Sequence, residues 1–212
     1  MTRAPRPLRG PPRKLVSRKW AREPDDWYIE EDWCDNRLFD VESFEGRIVD
    51  PACGSGRVIK AARAAGHDAE GFDLRRRPHF RHKVADFFEA SRPVPNFVSN
   101  APFKFALAFV GHALTLATRK VAILLPPGWA QADWRSTWLE RTPLRRIWLL
   151  TPRPSMPPGP FVFATRAPGE RVGNGTTDYA WFVWEQGYVG PWETRVLRRD
   201  DVKGAAIVAA SK

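Results

Sequence analysis

The chain has 212 residues, a formal net charge of +10 and a pI near 10.2. That is enough for one sizeable core, and the charge points to an anionic partner. Two cysteines are too few for a disulfide framework and no apolar run approaches a membrane span, so neither a disulfide-stapled scaffold nor an integral membrane protein is expected.

Residues 1–22 carry eight basic side chains and no acid, interleaved with four prolines. Such a segment cannot bury enough apolar surface to fold alone and is read as a flexible basic arm. It lacks the apolar stretch of a secretory signal, so a cytoplasmic protein is expected. A domain over 23–203 and a short tail over 204–212 complete the division. Within the domain, a short helix is expected around Trp33 to Phe39. Strands are expected at 47–50, 69–73, 83–86, 96–100, 121–125, 145–151 and 179–185. Helices are read at Arg57–Ala65, closed by Gly66, at Phe105–Thr118, apolar nearly all round, and at Ala130–Glu140. Residues 151–178 hold six prolines and four glycines and read as a long loop, with a short strand at Phe161–Thr165. The alternation of strands and helices predicts an α/β fold with a mostly parallel sheet covered on both faces.

Four segments carry the chemistry, each at the end of a predicted strand: Asp50-Pro51-Ala52-Cys53-Gly54-Ser55-Gly56, Gly71-Phe72-Asp73, Val84-Ala85-Asp86 and Asn100-Ala101-Pro102-Phe103. Ligands of open α/β sheets lie beyond the carboxyl ends of the strands, so all four should meet at one pocket. Gly54 and Gly56 let a ligand lie against the main chain. The turn has neither the Gly-x-Gly-x-x-Gly spacing of dinucleotide binders nor the Lys-Ser/Thr of a phosphate loop, and Asp50 suits a ligand with an ammonium group. Asp73 is placed to accept from the two hydroxyls of a ribose, and Asp86 from an adenine amino group. The side-chain oxygen of Asn100 and the carbonyl of Ala101 can together bind both hydrogens of an exocyclic amine and turn its lone pair toward a methyl donor. Pro102 keeps Ala101 extended, and Phe103 is expected to stack on the base. The scattered histidines complete no metal set. Trp129, following Pro126-Pro127-Gly128, is a candidate base or nucleic-acid contact.

These segments resemble those of the S-adenosylmethionine-dependent N6-adenine DNA methyltransferases, especially the small phage-encoded, Dam-like enzymes, over about residues 25–185. The resemblance implies a Rossmann-like sheet of seven strands, mostly parallel with an antiparallel last strand, and a bacterial, phage or prophage origin. It implies S-adenosylmethionine as cofactor, DNA as partner with RNA second, and Asn100, Ala101, Pro102 and Phe103 as the catalytic turn. The cofactor would be held by Asp50, Pro51, Ala52, Gly54, Gly56, Asp73, Asp86 and Asn100, with Tyr28 and Glu30 resembling the segment that meets its methionine part. Arg153-Pro154-Ser155 and residues 177–184 resemble late segments of the same enzymes. Nucleic acid would then be met by Arg13, Lys14, Arg18 and Lys19 of the arm, by Trp129 and by Arg153. Ala101 departs from the family's usual proline, but the carbonyl it must offer survives the change. Similar turns also serve enzymes acting on ribosomal RNA bases or on a glutamine amide in protein, and a catalytically silent nucleic-acid-binding relative is a third reading. The register from Phe103 back through Pro102 makes Asn100 the first residue of the turn. Ser99, the residue type of the N4-cytosine enzymes, then points away on the strand, so adenine N6 is the expected acceptor.

Overall fold

The computed structural model describes residues 26–164 and 175–200. The arm with Arg13, Lys14, Arg18 and Lys19, the 204–212 tail and both domain boundaries lie outside the described residues, as does part of the 151–178 loop.

Eight strands form one sheet in the order β3-β2-β1-β4-β5-β7-β6-β8. They are β1 (Ile48–Asp50), β2 (Ala69–Asp73), β3 (Lys83–Val84), β4 (Val94–Ser99), β5 (Ala117–Leu125), β6 (Leu144–Thr151), β7 (Ala180–Glu185) and β8 (Glu193–Arg198). β7 runs antiparallel between β5 and β6; every other pairing is parallel. All seven expected strands form, the seventh, β7, antiparallel as expected, and β8 is an addition parallel to β6. It pairs with β6 through the register Ile147↔Thr194, and only its Leu197 is buried. With one inward residue in six it offers almost no apolar pattern to read.

Helices α1 (Asp32–Val41) and α2 (Arg57–Ala64) cover one face of the sheet; α3 (Ala106–Leu116) and α4 (Asp133–Leu139) cover the other. In α2 the buried residues Val58, Ile59, Ala61 and Ala62 make the usual single stripe. The apolar α3 is also one-sided, burying Ala106, Phe109, Val110, Ala113 and Leu116, while Leu107 and Leu114 are only half covered. β7 is buried on both faces: Trp181 and Val183 enter the core under α1 and α2, Phe182 and Trp184 the opposite one. Each indole keeps a partner, Trp181 donating to the Cys34 carbonyl (2.9 Å) and Trp184 to the Thr142 hydroxyl (3.0 Å). The strand expected at 161–165 is instead the end of a short helix, α5 (Gly159–Phe163). Pro160 lies in its first turn, where the missing N–H costs nothing, whereas in a strand it would break the ladder.

From β1 the chain moves outward to β2 and β3, then returns to place β4 on the other side of β1. The reversal leaves a crevice above the adjacent ends of β1 and β4, at Asp50 and Ser99.

Candidate cofactor and active site

A cavity of about 520 Å³ opens in this crevice. It is walled by residues 26–30, by the turn from Asp50 to Ser55, by Asp73 and Asp86, and by Asn100 and Pro102. Five segments distant in sequence thus share one space because four neighbouring parallel strands end there, with the fifth segment, 26–30, closing the side. That segment is fixed from outside: Ile29 N–H donates to the Pro157 carbonyl (2.9 Å) and Gly159 N–H to the Trp27 carbonyl (2.8 Å).

The turn requires its glycines. Gly54 has φ +49°, and a Cβ there would meet Trp27 Nε1 at 2.9 Å. Gly56 has φ +77°, and a Cβ would fall 2.4 Å from the Phe80 ring. Gly56 therefore shapes the entry to α2 from behind and is not itself part of the cavity wall.

The acids differ in what they have left to give. Asp73 accepts from the N–H groups of Gly54 (3.0 Å) and Arg75 (3.0 Å), with Arg77 Nε at 3.4 Å, which ties β2 to the turn. A carboxylate has about four acceptor positions, so lone pairs remain for a diol. Asp86 caps the following turn by accepting from Phe88 N–H (2.9 Å) and shares the cavity with Leu74, Phe87, Phe88, Phe105 and Phe109. That group suits a flat apolar ring with one polar edge. Asp50 is 2% exposed and accepts from Ser99 Oγ (2.7 Å) and Ala52 N–H (3.1 Å). Burial pushes its carboxyl up to about 8, against the pull of those two hydrogen bonds. Glu30 is also raised, again chiefly by burial.

Asn100 is held tightly. Its Nδ2 donates to Glu30 Oε2 (2.6 Å) and to the Tyr28 carbonyl (3.2 Å), which uses both amide hydrogens. This fixes the amide's orientation, and among the described residues its Oδ1 takes no donor. The Ala101 carbonyl is likewise without a donor among the described residues. Ser99 does not line the cavity; it is fully buried and committed to Asp50.

Tyr28, Glu30, Asp50, Pro51, Ala52, Gly54, Asp73, Asp86, Asn100 and Pro102 are thus brought together at the cavity, and other expected residues are not. Ala101 is buried beneath it, and Phe103 packs against Tyr179 at 5.7 Å between ring centroids. The half-exposed aromatics on the cavity are Phe88 and Phe105. Trp129 packs edge-on against Phe182 and Trp138, with the Arg135 guanidinium over its ring. Arg153 is exposed and paired with Asp178 (2.6 Å). Trp27 and Phe105 are wall residues that the sequence did not reveal, and Arg77, from the basic run after Asp73, joins them. Trp27 is stacked by Arg77 at 4.6 Å and by Phe163 at 5.9 Å.

No family model and no curated protein sequence matches the chain. Solved structures do. The chain is similar to the type I restriction-modification methyltransferase subunit of Streptococcus thermophilus (TM-score 0.52, 12% identity, 77% of this chain and 46% of that one). It is similar to the type I restriction enzyme EcoKI M protein (TM-score 0.52, 13% identity, 82% and 49%). A third likeness is to a putative RNA methyltransferase, PH1948, from Pyrococcus horikoshii (TM-score 0.50, 13% identity, 72% and 79%). The fold is that of the S-adenosylmethionine-dependent methyltransferases. The chain spans about half the length of the two restriction subunits it matches. Among the described residues no helix is long and apolar enough to cross a membrane.

The donor set fits that cofactor. Buried acids at Glu30 and Asp50 suit a cationic sulfonium and ammonium end, Asp73 a ribose, and Asp86 with its apolar neighbours an adenine.

Proposed function

We propose that the chain transfers a methyl group from S-adenosylmethionine to the N6 amino group of adenine in DNA. The observation that supports this most is the fixed amide of Asn100, whose donors are both taken by Glu30 and Tyr28 and whose oxygen is left open. The cofactor, when bound, supplies an electrophilic methyl group. The chain's part is placement and charge. Glu30, Asp50, Asp73, Asp86, Pro51, Ala52 and Gly54 hold the cofactor, with Gly56 keeping the turn in shape. Asn100 Oδ1 and the Ala101 carbonyl accept the two amino hydrogens of the target base. This drains electron density onto its nitrogen and aligns the lone pair for attack. Pro102 keeps the Ala101 carbonyl presented.

A base inside a duplex cannot reach this crevice, so it must be flipped out. Phe103 supports the turn from the core side, and Phe105 offers an exposed ring beside Lys104. The basic arm, through Arg13, Lys14, Arg18 and Lys19, is assigned to phosphates, with Arg153 exchanging Asp178 for a phosphate and Trp129 bracing the 126–135 loop.

Offering duplex DNA, structured RNA and a protein mixture in parallel with methyl-labelled cofactor tests the reading. Label is expected in DNA. Label confined to RNA or protein would move the acceptor to that class, and no transfer to any of the three would favour a silent binding relative.

A further inference from the structure

Asp35 lies on α1, 1% exposed, and among the described residues neither of its carboxyl oxygens has a hydrogen-bond donor. It is not part of the cavity wall, but the charges acting on it include Glu30 and Asp50, which are. Glu30 comes from the 26–30 segment, Asp50 from the end of β1 and Arg57 from the start of α2, where Arg57 also meets Asp32. On its own helix and cap stand Glu31, held by Trp33 Nε1 and Ser155 N–H, the Cys34 thiol, and Arg37, which pairs with Asp40 and the Arg198 carbonyl on β8. Two of these buried carboxyls, Asp35 and Glu30, therefore share a cation, Arg57, that is already engaged with Asp32. An ionised Asp35 would be a buried, unpaired charge; as a neutral acid it can donate its O–H to Glu30, whose carboxylate holds the Asn100 amide.

We infer that Asp35 is a proton-carrying positioning residue that gives up its proton to solvent when a cationic ligand enters beside Glu30 and Asp50, so that the cavity favours the sulfonium cofactor over its uncharged thioether product. This rests on the methyltransferase reading above. In the free protein the Asp35 proton keeps the acid wall neutral enough to stay folded and keeps Glu30 aimed at Asn100. The ligand's positive charge then replaces the proton. The thioether brings one charge fewer and cannot do so, which eases product release.

Isothermal titration calorimetry in two buffers of different ionisation enthalpy counts the protons, with S-adenosylmethionine and S-adenosylhomocysteine as probes. Binding of the sulfonium is expected to release close to one proton more than binding of the thioether. Its Kd should tighten by about tenfold per pH unit below the titration of the acid wall. Asp35→Asn keeps a donor for Glu30 but no titrating proton, so the excess release and the pH slope should both fall, leaving only the share of Asp50, while thioether affinity holds. Equal proton counts for the two ligands in the wild-type protein, which needs no variant, would overturn the inference. So would an unchanged count in Asp35→Asn, which would assign the proton to Asp50. Failure of both probes to bind would overturn the cofactor reading and the inference with it; binding of both without release would overturn the inference alone.

Discussion

Replacing Asn100 by alanine is expected to slow methyl transfer by roughly a hundredfold or more, corresponding to at least about 3 kcal/mol of transition-state stabilisation. The variant loses the open Oδ1, the acceptor that engages the amine only as its nitrogen turns tetrahedral. It also frees Glu30 and the Tyr28 carbonyl from the amide they hold. Cofactor affinity should change far less, because the acids at Asp50 and Asp73 keep their own partners in Ser99, Ala52, Gly54 and Arg75. The loss should therefore appear in single-turnover rate with cofactor binding nearly intact. A variant methylating at close to wild-type rate would remove this turn from the chemistry.

The ligand-free protein is expected to lose roughly 2–3 kcal/mol of stability between pH 5.5 and 8. Asp50 titrates near 8 in the folded chain against an ordinary 3.8, so across this window the native state holds a proton that the unfolded state has released. Its contribution is complete below the unfolded value and disappears as pH rises through the folded one. Glu30 and Asp35 are raised by the same burial and act in the same direction. Glu42 runs the other way, lowered by the hydrogen bonds and charges of Lys120, Trp148 and Arg146 in spite of its burial, but its contribution is already full by pH 5.5 and leaves the window unaffected. Asp50→Asn keeps an oxygen for Ser99 and Ala52 without the titration, and urea melts at the two pH values should show a clearly smaller loss, the remainder belonging to Glu30 and Asp35. A wild-type slope surviving in that variant would mean the cost of charge is borne elsewhere.

Much of this architecture could be read from residues alone, for reasons that differ by element. β1, β4, β5 and β7 contain compact apolar runs, and the polar residues that follow β1 and β4 were visible as site candidates because a strand end in a parallel sheet has one place to go. β8 was illegible because a strand covered on one side with a single buried leucine has no period worth reading. α5 was mistaken for a strand because Phe161-Val162-Phe163 has strand-like composition, while the deciding signal was Pro160 before it. In the site, the cluster of strand-end acids was legible but its charge balance was not. Asp35 looks like an ordinary helix residue in sequence, and only its complete burial beside Glu30 sets it apart. Phe103 was the obvious ring to place on a base, and nothing in the sequence could show that it packs toward Tyr179 while Phe105 faces the opening.

In the proposed reaction the amine acted on is adenine N6, a choice that turns on which of two adjacent residues faces the cavity. Asn100 does, and Ser99 is buried and bound to Asp50. Methylating duplex DNA with the purified protein, digesting it to nucleosides and resolving them by mass spectrometry reads the outcome directly. N6-methyladenine is the expected product; methyl label found only in N4-methylcytosine would overturn the proposed acceptor.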